Sequence, residues 1–296
     1  MKLAVLSDIH GNHAALEACV EDLQKRGADA VVFLGDYVTD CPCPEKTVAL
    51  VQKLSSKVKT WMIRGNREDY LLAHRQNRAD GWCNSSQTGS LLYTYERLSS
   101  ADLDFFASLP ISRIIRPENA PPITVCHGSP ECSKESLRPG APETDRCLSR
   151  CETPLLLCGH THRPCRYGFA GRTLVNCGSV GLQVTGQTCA QYVLLEQRVG
   201  GWEDMLISVP YDVGGLAREF EESGLFARAG MWPRAVLRCL QTGTNYPKML
   251  IEQAVRFEQA ARFERGESLA CRQQSNGAPI PEACWLAAAQ ALGLDA

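Results

Sequence analysis

Residues 2–11 read Lys2-Leu3-Ala4-Val5-Leu6-Ser7-Asp8-Ile9-His10-Gly11. A short apolar run stops abruptly at a carboxylate, an imidazole and a glycine. Working outward, Asn12 to Arg26 carries Ala15, Leu16, Cys19, Val20 and Leu23 at helical spacing, with Gly27 as the stop. Ala30–Leu34 is a second strand, Glu45 to Leu54 a second helix, and Val58–Ile63 a third strand. Strand–helix–strand units of this length predict an α/β sheet that is parallel here and covered on its faces.

The remainder of the chain changes character. Arg67 to Leu109 reads as helical, interrupted by the polar stretch Asn77 to Thr88, and Ser99 with Asp102 forms a capping-box pattern. Strands return at Ile123–Cys126, Leu155–Cys158, Cys165–Phe169, Thr173–Asn176, Gln191–Glu196 and Glu203–Val209. Their close spacing predicts hairpins and a second, mixed sheet. From Asp212 onward the pattern is helical, with a polar loop at Arg272–Pro281 and a last helix opened by Pro281.

The strand ends carry the chemistry. After Asp8 and His10 come Gly35-Asp36, Gly65-Asn66, His127-Gly128 and Gly159-His160-Thr161-His162. In an α/β sheet, ligands bind beyond the carboxyl ends of the strands, so these side chains should meet on one rim. Four of the six histidines belong to the set. Asp8/His10 and His160/His162 are two apart, which in extended chain turns each pair the same way. Each fragment alone is an ordinary turn or cap; together they supply enough oxygen and nitrogen donors for two metal ions. The set has no thiolate, which suits Mn, Fe, Co, Ni or Zn.

In this order, the motifs resemble those of the calcineurin-like metallophosphoesterase superfamily, and most nearly its small bacterial branch of YfcE-type phosphodiesterases. The resemblance spans residues 1–211, with a helical insertion at about 67–109, and leaves 212–296 as a helical C-terminal extension. It implies a four-layer α/β/β/α sandwich. It also implies that Asp8, His10, Asp36 and His162 hold one metal, and Asp36, Asn66, His127 and His160 the other, with Asp36 bridging. The implied activity is hydrolysis of a phosphodiester or activated phosphomonoester. Two cations ~3.5–4 Å apart need a shared anion, and a water between them becomes the hydroxide that attacks phosphorus. Asp36, Asn66, Arg67 and His127 are then the expected catalytic residues, and a small-molecule phosphoester the expected partner.

The chain departs from the pattern after Asn66. The familiar motif places a leaving-group acid, His, there; Arg67 stands instead. Arginine stays charged at pH 7 and cannot be that acid, but its fork of donors suits a phosphate oxygen. Pairing with Glu68 or Asp69 is the plainer alternative. Cys177-Gly178-Ser179 stands where a proline is common, and Thr39-Asp40-Cys41 replaces the Asp-Arg-Gly of the protein Ser/Thr phosphatases. His13, opening the first helix, is a second candidate for substrate contact. His74 reads as structural, and Trp82, Tyr93 and Tyr95 as core or as the floor of a pocket. Cys126 and Cys158, each preceding a ligand histidine, should point into the core.

Composition excludes other classes. A net charge of -2 without a basic block argues against a nucleic-acid partner, and so against a nuclease. A scaffold without catalysis on this fold would be expected to have lost ligands, and all seven are here. Leu3 to Leu6 is too short an apolar run for a signal peptide, and no run reaches a membrane span. The expectation is a cytoplasmic protein, most of whose fifteen cysteines are reduced. The C-terminal helices should serve packing or a homo-oligomer contact.

Overall fold

The computed structural model describes residues 1–265 and 279–294. Strand β1 (Lys2–Leu6) leads through Asn12, whose side chain caps the Ala15 N–H, into α1 (His13–Lys25). Then come β2 (Ala30–Phe33), α2 (Pro44–Ser55) and β3 (Lys59–Met62). The helical stretch resolves into α3 (Asn66–Gln76), α4 (Gly89–Arg97) and α5 (Ser100–Ser108), the last opened by the Ser99–Asp102 capping box. Next are β4 (Ser112–Ile115), β5 (Ile123–Cys126), α6 (Pro142–Arg150), β6 (Leu155–Cys158), β7 (Cys165–Phe169), β8 (Arg172–Asn176), β9 (Ala190–Arg198) and β10 (Gly201–Val209). The chain closes with α7 (Val213–Glu222), α8 (Leu225–Ala229), α9 (Trp232–Thr242), α10 (Tyr246–Glu264) and α11 (Glu282–Ala291).

Two five-stranded sheets result, ordered β10-β9-β1-β2-β3 and β4-β5-β6-β8-β7. β1, β2 and β3 are parallel, as are β5, β6 and β8, while β9, β10, β4 and β7 pair antiparallel with their neighbours. The two-residue period of a strand divides the core. Leu3 and Val5 of β1 meet Val125, Leu157 and Val175 between the sheets. Ala4 and Leu6 pack outward with Leu16, Val51 and Phe106 under α1, α2 and α5. On the far side, Cys126, Leu156 and Cys158 pack with Leu148 of α6. The layers are therefore α/β/β/α, as expected, and both cysteines point to that outer core. Among the described residues, no helix is long and apolar enough to cross a membrane.

Two elements lie outside the sequence reading. β4 is an edge strand with Ile115 as its only buried residue, and α6 is short, largely polar and buries only Thr144 and Leu148. Pro281 caps α11 as expected, and residues 272–278 of the anticipated polar loop lie outside the described residues. The C-terminal helices join the sandwich through a core of Cys41, Tyr93 and Leu182 with Leu216, Phe220 and Val236.

Candidate metal centre

All seven strand-end residues meet where the carboxyl ends of β1, β2, β3, β5 and β6 converge. Asp8, His10 and His162 form one group and Asp8, Asp36 and His127 another, each with donor atoms within 4.8 Å of one another. Asn66 joins through Oδ1, 3.1 Å from His127 Nε2. The His160 ring lies 5.3 Å from that of His127, and its backbone N–H donates to Asp8 Oδ2.

They converge by a different route from the expected alternation of extended chain. Asp8, His10, Asp36, His160 and His162 all adopt left-handed backbone, with φ between +53° and +64°. Residues other than glycine rarely do so, and such strain collects at functional sites. Here the turns are held: Asp36 O accepts the N–H groups of Ile9 and His10, and Gly35 O that of Asp8. Gly35 itself, at φ +91°, has no room for a Cβ, which would meet Gly65 N at 2.2 Å.

The centre fits divalent cations. Asp8 Oδ1 is buried and accepts no hydrogen bond, yet Nε2 of His162, His10 and His127 stand 3.1, 3.8 and 3.8 Å from it. His127 Nδ1 donates to Leu34 O at 2.8 Å and His162 Nδ1 to Leu182 O at 2.7 Å. With the proton fixed there, each Nε2 directs a lone pair into the centre, the arrangement of a metal-binding histidine. His10 and His162 bring their Nε2 atoms within 3.1 Å, which requires a proton or a metal between them.

Electrostatics agree. Burial would lower His10 and His127, but Asp40 and Asp8 raise the first to about 9, and Asp36 and Asp8 the second to about 10. Burial would raise Asp36, but His127 and His10 bring it to about 2; Asp8 is held well below its usual range by His162 and His127. The cavity attracts positive charge, and protons take the places of cations when none is bound.

A calcineurin-like phosphoesterase superfamily model matches residues 1–199. The chain belongs to the calcineurin-like phosphoesterase superfamily. It is 26% identical to the protein MJ0912 of Methanocaldococcus jannaschii, over 71% of this chain and 88% of that one. Two crystal structures share the fold. Protein PH1004 of Pyrococcus horikoshii has a TM-score of 0.68 and 21% identity over 82% of this chain and 98% of its own. A metallophosphoesterase from Sphaerobacter thermophilus has a TM-score of 0.65 and 24% identity over 82% and 100%.

Around this calcineurin-like centre, supporting residues emerge that the sequence did not single out. Glu68 accepts the N–H groups of Gly65, Asp36 and Tyr37 at 2.8–2.9 Å, joining the loops after β2 and β3. Burial and the neighbouring Asp36 push it up to about 7. Ser179 Oγ donates to Asp8 O, and Asn176 Nδ2 to Gly159 O. Asp40, buried and left-handed, has Oδ2 2.9 Å from His10 Nδ1 and 3.2 Å from Arg67 Nη2, while Trp232 donates to its Oδ1. For Glu68 and Asp40 the available signal was their place two and four residues after a candidate ligand; Asn176, Ser179 and Trp232 carried none.

Arg67 pairs with neither Glu68 nor Asp69. Its guanidinium faces Asp40 and, at 3.9 Å, Asp36, and its backbone N–H donates to Asp36 Oδ1. Asp69 instead binds Arg64 and Ser133. His13 lies beside Glu219, 3.5 Å away. His74 is structural, stacked on Trp82, edge-on to Tyr95 and bonded to Asp80. Tyr93 is buried and donates to Pro42 O.

Proposed function

We propose that this chain is a dinuclear metal-dependent phosphoesterase that hydrolyses a small phosphodiester or an activated phosphomonoester. The convergence of three imidazole Nε2 atoms on the unpartnered Asp8 Oδ1 carries the reading. Asp8, His10, Asp36 and His162 would hold one divalent metal, and Asp36, Asn66, His127 and His160 the other. Asp36 Oδ2 suits the shared position: it lies 3.8 Å from His10 Nε2 and 3.3 Å from His127 Nε2, one ring of each set. Bound metals of the Mn, Fe, Co, Ni or Zn kind supply an activated water and hold the phosphate oxygens.

The protein supplies orientation. Arg67 N–H fixes the second oxygen of Asp36. The Arg67 side chain, 21% exposed, holds an edge against Asp40 and offers its remaining donors to a phosphate oxygen. A leaving group that departs without a proton suits such a site, hence aryl esters, anhydrides or cyclic diesters. Every described cysteine is free.

The test is a phosphoester panel assayed after chelation and after adding back each metal. Hydrolysis that depends on added metal and disappears in His127→Ala supports the reading. Equal hydrolysis by chelated protein, or none of any ester with any metal, overturns it.

A further inference from the structure

Outside that centre, three ligand-type side chains from distant parts of the chain converge where the first helices meet the C-terminal ones. His13 is the first residue of α1, Cys43 the N-cap of α2, and Glu219 a residue of α7. One donor atom from each lies within 4.8 Å of the other two. His13 Nε2 is 3.5 Å from Glu219 Oε1, and Cys43 Sγ is 3.6 Å from Glu219 Oε2. Around tetrahedral zinc, with bonds of ~2.0–2.3 Å, neighbouring donors sit ~3.3–3.7 Å apart. The two measured contacts, one to each oxygen of Glu219, are of that length, and a small rotation of the carboxylate would bring one oxygen to both partners.

We propose that His13, Cys43 and Glu219 form a third metal site, which takes Zn²⁺ with water in the fourth position. Thiolate with imidazole and one carboxylate is a zinc set, chemically distinct from the thiolate-free centre at Asp8. Nδ1 of the His13 ring is buried and without a hydrogen-bond partner, so no contact of that nitrogen resists a turn of the ring toward a cation. Binding deprotonates the Cys43 thiol, and that proton leaves to solvent.

Lys46 is the competitor, with Nζ 2.7 Å from Glu219 Oε1. Its side chain is 51% exposed. Exposed pairs of this kind contribute little, so Lys46 retreats into water when the carboxylate turns to a metal. A bound zinc would pin α7 to the start of α1, which begins three residues after His10.

The test uses cobalt as a spectroscopic stand-in on the full chain. Metal-stripped protein titrated with Co²⁺ should develop a thiolate-to-cobalt charge-transfer band in the near ultraviolet. Cys43→Ser and Glu219→Gln should each abolish that band and one equivalent of retained zinc, with the circular dichroism spectrum unchanged. Lys46→Met should tighten zinc binding at least several-fold. A wild-type chain without the band, or a band that survives in Cys43→Ser, overturns the site. The band does not depend on the centre at Asp8 holding metal, so this proposal and the phosphoesterase reading fail separately.

Discussion

Trp232 donates its indole N–H to Asp40 Oδ1 across 2.7 Å. A residue of the C-terminal helices thereby holds the buried carboxylate that faces His10 on one side and Arg67 on the other. Trp232→Phe keeps the ring and removes this one donor. A hydrogen bond to a charged group contributes about 1.5–3 kcal/mol, so the melting temperature should fall measurably. Asp40→Asn should cost more, about 3–5 kcal/mol, because Arg67 loses its buried partner. Thermal denaturation of both variants orders them, and equal stability would contradict the arrangement.

Asp36→Asn removes the charge proposed to be shared by both metals. Elemental analysis should find occupancy lowered at both positions rather than at one. Full occupancy with full activity would sink the two-metal reading.

Arg67→Ala should lower kcat/KM on aryl phosphodiesters about 10- to 100-fold, the kinetic equivalent of one charge-assisted hydrogen bond. Metal content should stay unchanged. Arg67→His restores a group that titrates near neutrality, so alkyl esters should gain relative to aryl ones. Unchanged kinetics in Arg67→Ala would leave Arg67 as a partner of Asp40 alone.

Metal-free and metal-loaded protein should respond to pH in opposite senses. In the metal-free form His10 and His127 are raised to about 9 and about 10. Their contribution is complete below the unfolded value of ~6.5 and is lost as pH rises through the folded values. Asp36, lowered to about 2, stabilises above ~3.8 and loses that contribution as pH falls. With chelator present, the melting temperature should therefore decline from about pH 6.5 upward. With metal it should hold or rise over the same range, because protons no longer compete for the imidazoles.

Thiol chemistry gives a further check. Timed alkylation with mass spectrometry should label the exposed Cys83 and Cys132 before the buried Cys41, Cys126, Cys158 and Cys177. After denaturation under anaerobic conditions, each described cysteine should label. Protected pairs would indicate disulfides.

The candidate metal centre was legible because most of its residues end apolar runs, and a run such as Ala30–Phe33 is recognisable from burial on both faces alone. What holds the centre was harder to see. Glu68 reads as an ordinary polar residue in the first turn of a helix, yet it ties two loops together. Asp40 gains its role from Trp232, 192 positions later, which no local pattern encodes. The left-handed turns at the candidate ligands were equally hidden, since aspartate and histidine favour them far more weakly than glycine does. β4 escaped because it is an edge strand that buries one side chain, and α6 because it is short, largely polar and buries only Thr144 and Leu148.

The proposed ligands are divided between the two sheets: Asp8, His10, Asp36 and Asn66 follow strands of one, and His127, His160 and His162 follow strands of the other. An ion shared by Asp8 and His162 would close a loop of more than 150 residues, as a covalent staple does. Loop closure over that length removes much freedom from the unfolded chain. The ions that would perform the chemistry would thus also act as fasteners of the sandwich, and their removal should loosen one sheet against the other before either sheet comes apart.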